Sequence, residues 1–176
     1  CLLSRGLGDV YKRQIQLGLK GVKIHPDTQK VNMDDPRLMR LYEIIEGRLP
    51  IVIHTGDYRY DYSHPRRLKR ILHTFPKLVV DAAHFGGWSV FDYALEYLED
   101  ENCYVDTSSA LEFLGPRRTV ELARAYGIER VMFGSDFPMW SPVNEYNMLA
   151  AMPFTEDEFE AITWHNAQRF IGQKIK

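Results

Sequence analysis

The sequence predicts an α/β fold built from five consecutive β/α units with parallel strands, and three observations support this prediction. Short runs rich in valine and isoleucine alternate with longer amphipathic stretches along the chain. The starts of these runs lie 25 to 29 residues apart, which suits a strand, a helix and two loops. The runs are apolar at successive positions, as expected for parallel strands that helices cover on both faces.

Each predicted strand is an apolar run that leads into a polar or glycine-containing loop. β-branched residues are enriched in the runs, and turn-forming residues bound them. The five runs are GVKIHP from Gly21, PIVIHTG from Pro50, KLVVDAAHFGG from Lys77, NCYVDTSSA from Asn102 and ERVMFGSDFP from Glu129.

Five helices are predicted between and after these strands. Pro36 suits the first position of the first helix, and Gly47 suits its end. Thr155, followed three residues later by Glu158, forms a capping box at the start of the last helix. The predicted helices span residues 35–47, 65–74, 88–100, 116–127 and 155–171, and Gly172 ends the last of them.

The residues that follow the strands distinguish two possible architectures. A doubly wound nucleotide-binding sheet would carry a glycine-rich phosphate loop after its first strand. No G-x-G-x-x-G or Walker lysine motif follows any of the five strands. Polar residues end the strands instead, as in enzymes with a (β/α)8 barrel, where they meet at the C-terminal rim. The sequence therefore predicts five of the eight β/α units of a (β/α)8 TIM barrel, in sequential right-handed order.

Alternation along each strand predicts which polar residues point into the barrel. A lone buried histidine or a glycine-flanked aspartate is more often structural than catalytic. Imidazoles and a carboxylate at the same end of neighbouring strands, however, suit a divalent cation. The groups predicted to share an inward face are Lys23 with His25, Val52 with His54, Val80 and Ala82 with His84, Asp106 with Ser108, and Met132 and Gly134 with Asp136.

Several motifs resemble a known family of enzymes. The segments IHTG, AHFGGW, YVDTSS and RVMFGSDFP, in this order and spacing, and the ending FTEDEFEAITWHNAQRFIG are similar to the C-terminal part of metal-dependent hydrolases of the amidohydrolase superfamily. The resemblance is to the amidohydrolase-2 branch, which includes the aminocarboxymuconate-semialdehyde decarboxylase-like enzymes. It runs from about Gly21 to Gly172 and implies that the five units are strands four to eight of the barrel. It also implies that a first-strand His-x-His or Glu-x-His motif belongs upstream of Ile15, so that the chain is N-terminally truncated.

The resemblance implies roles for three of the polar strand ends. His54 corresponds to a metal ligand, and Asp136 to a metal ligand or proton acceptor. His84 corresponds to a second metal ligand in binuclear members and to the catalytic acid or base in mononuclear ones. The implied cofactor is Zn²⁺ or another divalent metal ion. Lys23 lies on the strand that carries a bridging carboxylated lysine in binuclear members, but we expect it to be an inward polar group of the pocket.

The implied substrate is a small carboxylated molecule. The candidate substrate-binding residues are Lys23, His25, Tyr58, Arg59 and Trp88, with Arg59 available to pair with a carboxylate; a structural role is the alternative for His25. Solvent-exposed packing is the alternative role for the loop GDYRYDYSHP. The implied reaction is hydrolysis of an ester, lactone or amide bond. Non-oxidative decarboxylation, and a barrel that binds a ligand without catalysis, stay open as alternatives.

Composition excludes several other classes of protein. The net charge of −2 gives no basic face for nucleic acid. No apolar stretch approaches the roughly 20 residues of a membrane-spanning helix. The two cysteines, Cys1 and Cys103, provide neither a disulfide framework nor a thiolate metal cluster, which favours a reducing, cytoplasmic location. We expect the full-length protein to form a homodimer.

The first residues differ in character from the rest of the chain. Residues 1–14, CLLSRGLGDVYKRQ, show no apolar periodicity, and DVYKRQ resembles one reading frame of a transposon end used in sequencing libraries. We predict that residues 1–14 are adapter-derived and that residues 15–176 are the C-terminal part of one barrel domain; a genuine N-terminal loop is the alternative. With the first-strand ligands absent, we expect this chain to bind zinc weakly and to be inactive.

Overall fold

Five short strands form one parallel sheet in sequential order. The computed structural model describes residue 13 and residues 15–172, so the prediction about residues 1–14 falls almost entirely outside the described residues. The order β1-β2-β3-β4-β5 confirms the predicted α/β fold of a partial barrel, because a doubly wound sheet would have a shuffled order. The strands are β1 Val22–Ile24, β2 Ile51–Ile53, β3 Val80–Ala82, β4 Tyr104–Asp106 and β5 Val131–Met132.

Helices follow the strands at nearly all of the predicted positions. The helix predicted over residues 65–74 has those bounds, and the helix predicted over residues 35–47 begins at Pro36. Among the residues that the model describes, no helix has the length and apolarity needed to cross a membrane. The helices are α1 Pro26–Gln29, α2 Pro36–Ile45, α3 Pro65–Thr74, α4 Phe91–Leu98, α5 Leu111–Tyr126, α6 Pro142–Ala150, α7 Glu156–Glu160 and α8 Asn166–Phe170.

Three helical regions differ from the prediction. α5 begins at Leu111 and is broken at Gly115, whose φ of 66° is not helical, because the following Pro116 disfavours a helical conformation there. The last predicted helix is divided by a π-helical turn over Ala161–His165 between α7 and α8. The short helix α1 and the helix α6 were not predicted, although each begins with a proline at its first position.

The register of the sheet corrects the predicted facing of β3. Asp81 pairs with Val52, which in turn pairs with Lys23, so Asp81 and not Ala82 lies on their face. Ala82 lies with Ile53 on the opposite face, which is apolar and buried. Burial and the nearby Asp106 raise the pKa of Asp81 well above its usual range. The face that carries Lys23 is therefore the polar one, and it holds a buried acid that alternation assigned to the wrong side.

Candidate functional site

A cavity of about 490 Å³ is bordered by residues that follow the strands, within the size range of small-molecule sites. Seven of the eight predicted site residues line it. Tyr58, which is 74% exposed to solvent, does not line it, and Tyr60 lines the cavity instead. The ionisable lining residues are Lys23, His25, Asp27, Lys30, His54, Asp57, Arg59, Tyr60, His84 and Asp136.

Three histidines from three strand ends meet in this cavity. The rings of His25 and His54 stack, with centroids 3.8 Å apart and an angle of 12° between their planes. His54 Nδ1 lies 3.0 Å from His84 Nε2. Burial lowers the pKa of His54 to about 3, and the neighbouring His84, His25 and Lys23 add to the effect. The His54 ring is therefore neutral at neutral pH and has one nitrogen lone pair to offer.

An aspartate that the sequence analysis missed completes a group able to hold a metal ion. Ligand atoms of His25, Asp27 and His54 all lie within 4.8 Å of one another. Asp27 Oδ2 is 3.3 Å from His54 Nε2 and accepts a hydrogen bond of 2.5 Å from Ser63. Asp27 follows His25 by two residues, in the sequence HPD directly after β1, and this spacing is the signal that could have identified it.

The group fits a divalent cation. Asp27 Oδ1 and His54 Nε2 are buried, and neither has a hydrogen-bond partner among the described residues. Buried polar atoms without a partner are rare because the lost hydration is not compensated. Burial also raises the pKa of Asp27, because a carboxylate that is withdrawn from water without a cation beside it is less stable in its charged form. An imidazole nitrogen and carboxylate oxygens are ligands that zinc and manganese accept.

His84 reaches the cavity through a turn that strand alternation cannot describe. Its φ is 63° and that of Phe85 is 49°, both in the left-handed region that residues other than glycine seldom adopt. The turn begins directly after β3, whose last residue Ala82 lies on the other face. The backbone therefore reverses the facing of His84, and the residue lines the cavity although the parity argument for it was wrong.

Asp136 also has a left-handed backbone conformation, with φ at 57°. Ser109 Oγ donates a hydrogen bond of 2.8 Å to Asp136 Oδ2, and Trp140 Nε1 donates one of 2.9 Å to Ser109 Oγ. Asp136 is exposed and does not belong to the group formed by His25, Asp27 and His54. Its carboxylate is thus oriented from one side and accessible from the other.

The loops after β2 and β3 touch at two glycines. A side chain at Gly56, whose φ is 74°, would bring its Cβ to 2.5 Å from Gly87 Cα. Trp88 N donates a hydrogen bond of 2.8 Å to Thr55 O across the same junction. These contacts hold the loop that carries Arg59 against the loop that carries Trp88.

Arg59 is held by an internal partner. It donates hydrogen bonds of 2.9 Å and 2.6 Å to the two carboxylate oxygens of the buried Asp57, and it lowers the pKa of that residue. The Arg59 guanidinium lies 5.5 Å from the ring centre of Tyr60 and 5.6 Å from that of Trp88. Its charge is partly neutralised. Lys23 and Lys30 also line the cavity, and neither forms an ion pair within the described part of the chain.

Comparisons with known proteins agree with the fold and the motifs. A family model described as "Amidohydrolase" matches residues 9–173. No curated protein sequence matches the chain. An uncharacterized TIM-barrel protein from Bordetella bronchiseptica shares 24% identity and a TM-score of 0.74, covering 93% of this chain and 60% of that protein.

Two further solved structures carry names of enzymes. A dihydroxybenzoic acid decarboxylase from Polaromonas sp. JS666, with bound manganese and the inhibitor 2-nitroresorcinol, shares 15% identity and a TM-score of 0.73, over 94% of this chain and 64% of that one. A candidate 2-pyrone-4,6-dicarboxylic acid hydrolase from Pseudomonas putida shares 16% identity and a TM-score of 0.69, over 96% and 69%. At these identities the likeness shows the fold.

The chain spans between 60% and 69% of the length of these three proteins. The family match, by contrast, covers nearly all of the chain itself and includes each strand of the sheet and each histidine and aspartate of the cavity. The chain therefore belongs to the amidohydrolase family, in its amidohydrolase-2 branch.

Proposed function

We propose that the protein is a metal-dependent hydrolase that cleaves an ester, lactone or amide bond in a small carboxylated molecule. The observation that carries the proposal is a pair of buried ligand atoms, Asp27 Oδ1 and His54 Nε2, that have no hydrogen-bond partner among the described residues; they lie in a cavity that also contains His84 and Asp136. Membership of the amidohydrolase family supports it. His25, Asp27 and His54 would hold a divalent cation such as Zn²⁺ or Mn²⁺.

A divalent cation bound in such a site polarises a carbonyl group and lowers the pKa of water to about 7. The protein residues supply the proton transfers. Ser109 binds Oδ2 of Asp136, which leaves Oδ1 of that carboxylate to accept a proton from water. Nε2 of His84, which lies 3.0 Å from His54 Nδ1, would accept that proton and pass it to the leaving group.

The charge and shape of the cavity favour a flat anionic substrate. Lys23 and Lys30 are lining cations without an ion pair within the described residues, so either is available for a substrate carboxylate. Trp88, Phe113 and Trp140 form a chain of edge-to-face aromatic contacts, with ring centres 6.4 Å and 6.3 Å apart. Such a wall suits the face of an unsaturated or aromatic ring.

Non-oxidative decarboxylation is the second candidate reaction. The aromatic wall favours it, as does the similarity in fold to a dihydroxybenzoic acid decarboxylase. Decarboxylation requires a donor that protonates carbon, whereas hydrolysis requires an acceptor for a proton of water. The carboxylate of Asp136, held by Ser109 and accessible from the cavity, is an acceptor, and we therefore rank hydrolysis first.

Activity of the full-length protein tests both reactions. Purified protein is assayed with lactones, esters and amides of aromatic acids, and separately with hydroxybenzoic acids, by measuring release of acid and of carbon dioxide. We expect release of acid, its loss on chelation and its recovery with Zn²⁺ or Mn²⁺. Asp136→Asn should lower turnover by about 100-fold to 10,000-fold without unfolding the protein. Carbon dioxide release alone would establish the second candidate, and activity that survives chelation would overturn both.

A further inference from the structure

A hydrogen-bonded chain behind His84 lies on the side of the ring away from His54. His84 Nδ1 is 2.9 Å from the backbone oxygen of Ser108 and 2.9 Å from Ser108 Oγ. Ser108 Oγ donates in turn to Oδ1 of the buried Asp106. The same carboxylate oxygen accepts hydrogen bonds from the backbone nitrogens of His84, at 3.0 Å, and Ser108, at 2.9 Å.

These contacts determine which ring nitrogen of His84 carries the proton. A backbone carbonyl can only accept, so the Nδ1 atom that faces Ser108 O must be the donor. The single hydroxyl proton of Ser108 goes to Asp106, so Ser108 Oγ also presents a lone pair to Nδ1. Two independent acceptors therefore require an Nδ1–H group, and the neutral ring keeps its lone pair on Nε2.

Asp106 and Ser108 are tightly packed. Gly134, in the segment after β5, packs against them, and a Cβ added there would lie 3.1 Å from Ser108 Cβ and 3.3 Å from Asp106 Cγ. Gly134 N also donates a hydrogen bond of 3.1 Å to Thr107 Oγ1. Both Asp106 and Ser108 are buried, so water does not compete for their hydrogen bonds.

We propose that Ser108 and Asp106 are positioning residues that hold His84 as the Nδ1–H tautomer and direct its Nε2 lone pair toward His54. Histidine in water favours the opposite, Nε2–H tautomer, which would present a proton to the cavity. The tautomer itself follows from contacts within the chain; what the lone pair does, as a proton acceptor or a metal ligand, rests on the proposed function. Partners of this kind around metal sites fix ring orientation and tautomer.

The proposal has a consequence for the contact between His54 and His84. Because His84 Nε2 is an acceptor, the 3.0 Å contact with His54 Nδ1 requires a proton on His54 Nδ1 in the metal-free protein. His54 Nε2 then carries the lone pair, and this buried atom, 3.3 Å from Asp27 Oδ2, has no hydrogen-bond partner among the described residues. The hydrogen bonds that begin at Asp106 thus fix the orientation of the His84 ring and, through it, that of the His54 ring.

Nitrogen NMR of the metal-free, full-length protein labelled with ¹⁵N-histidine tests the proposal directly. At about pH 8, above the ordinary histidine pKa of about 6.5, the two-bond correlations distinguish the tautomers. We expect the Nδ1–H pattern for both His84 and His54. An Nε2–H pattern for His84 would overturn the proposal, whatever the catalytic activity of the protein.

Variants of Ser108 test the role of its hydroxyl group independently of the rest of the fold. Ser108→Ala should increase the Nε2–H population of His84 and weaken Zn²⁺ binding, measured by calorimetry, by about 10-fold to 100-fold. Ser108→Thr keeps the hydroxyl and should restore both. Ser63→Ala, which removes another buried serine hydroxyl beside Asp27, should leave the His84 tautomer unchanged. An unaltered tautomer and zinc affinity in Ser108→Ala would refute a role for the serine side chain.

The two proposals fail separately in these experiments. A protein that hydrolyses none of the substrates but shows the Nδ1–H pattern in His84 would remove the proposed function and support the positioning role. A hydrolase whose His84 carries its proton on Nε2 would do the reverse. If Ser108→Ala does not fold, the spectrum of the unaltered protein and of Ser108→Thr still decides the question.

Discussion

Asp27 is the residue on which the electrostatics of the site depend most directly. Its carboxylate is buried, one oxygen is bound by Ser63, and the other has no partner among the described residues. A buried carboxylate in this state destabilises the metal-free fold, whereas a cation beside it would reverse the sign of that contribution. The Asp27 side chain should therefore destabilise the metal-free fold and strengthen the binding of a metal ion.

Asp27→Asn should separate those two effects. The amide keeps the size of the side chain and an oxygen for Ser63 but removes the charge. We expect Zn²⁺ affinity to fall by at least about 10-fold, or about 1.4 kcal/mol. We also expect the urea midpoint of the metal-free protein to stay equal or rise. Asp92→Asn, at an exposed carboxylate on α4, is the control and should leave zinc affinity unchanged. A lower midpoint with unaltered zinc affinity would exclude Asp27 as a ligand.

Individual site residues were predictable where strand ends determined them. His54 and Asp136 follow buried strands, and the position of each after its strand was enough to assign them to one cavity. Alternation could not predict which β3 side chains lie on the same face as His84. The left-handed backbone at His84 and Phe85 breaks the alternation, and it depends on tertiary contacts. Asp27 was missed because it lies in α1, whose four residues are too few for a periodic pattern.

At the scale of elements, local sequence signals determine where a helix begins and ends. The geometry of the loops is determined instead by the close approach of one backbone segment to another. α3 begins at Pro65 after the capping residue His64, and its predicted bounds are those observed. The π-helical turn in the last helix has no comparable local signal, so continuity was the natural prediction. The junction of the loops at Gly56 and Gly87 depends on residues 31 positions apart and lies beyond any local pattern.

Gly56→Ala should destabilise the protein far more than the matched change Gly47→Ala. Both glycines have positive φ, at 74° and 67°, but a Cβ at Gly47 would have no atom of the described residues within 4 Å. The conformational cost alone is about 1–2 kcal/mol. The clash of Gly56 with Gly87 should raise the total to about 3 kcal/mol or more. Urea denaturation measures the difference, and equal costs for the two variants would show that the loops can separate without penalty.

The capping box of α7 makes stability depend on pH. Hydrogen bonds from Arg124 and from the backbone of Thr155 lower the pKa of Glu158 from 4.5 to about 2. A lowered pKa in the folded state stabilises the protein above the unfolded value and ceases to do so as pH falls through the folded one. The stabilising effect of Glu158 should therefore disappear between about pH 4.5 and pH 2.

Glu158→Gln should cost about 0.5–1 kcal/mol at neutral pH, because glutamine keeps the capping geometry but loses the charge. This is less than the pKa shift alone suggests, since the Arg124 side chain is half exposed and solvent screens the pair. The difference in free energy of unfolding should vanish near pH 2. Glu156→Gln in the same turn is the control for the effect of charge at a helix N-terminus, and it should cost only about 0.3 kcal/mol. A difference that persists at pH 2 would contradict the assignment.

For the molecule as a whole, the regular spacing of apolar runs was sufficient to predict the sheet. Segments of 25 to 29 residues permit one strand and one returning helix, and right-handed crossovers then give sequential parallel neighbours. The predicted order is the observed order. What spacing could not predict is how the polar face is used. Lys23, the buried acid Asp81 and Asp106 lie on that face, and only the register of the folded sheet determines which residues are neighbours there.

The sheet has a free edge at β1 within the described residues, and this edge should govern association of the isolated chain. Val22 N binds Pro50 O, and Ile24 O accepts from His54 N, so the ladder to β2 uses Val22 and Ile24. In a parallel strand the residue between them directs its N–H and C=O to the other side. The backbone N–H and C=O of Lys23 therefore have no partner among the described residues, and both are open to any strand that can reach them.

We expect the 176-residue chain to self-associate through this edge, with a weight-average mass that rises with concentration in sedimentation experiments. Lys23→Pro removes the free N–H, leaves both hydrogen bonds to β2 intact and is compatible with an edge strand. It should shift association to higher concentration. Lys23→Ala is the matched control, because it removes the same charge but keeps the backbone donor. If both variants associate alike, contacts other than the β1 edge hold the copies together.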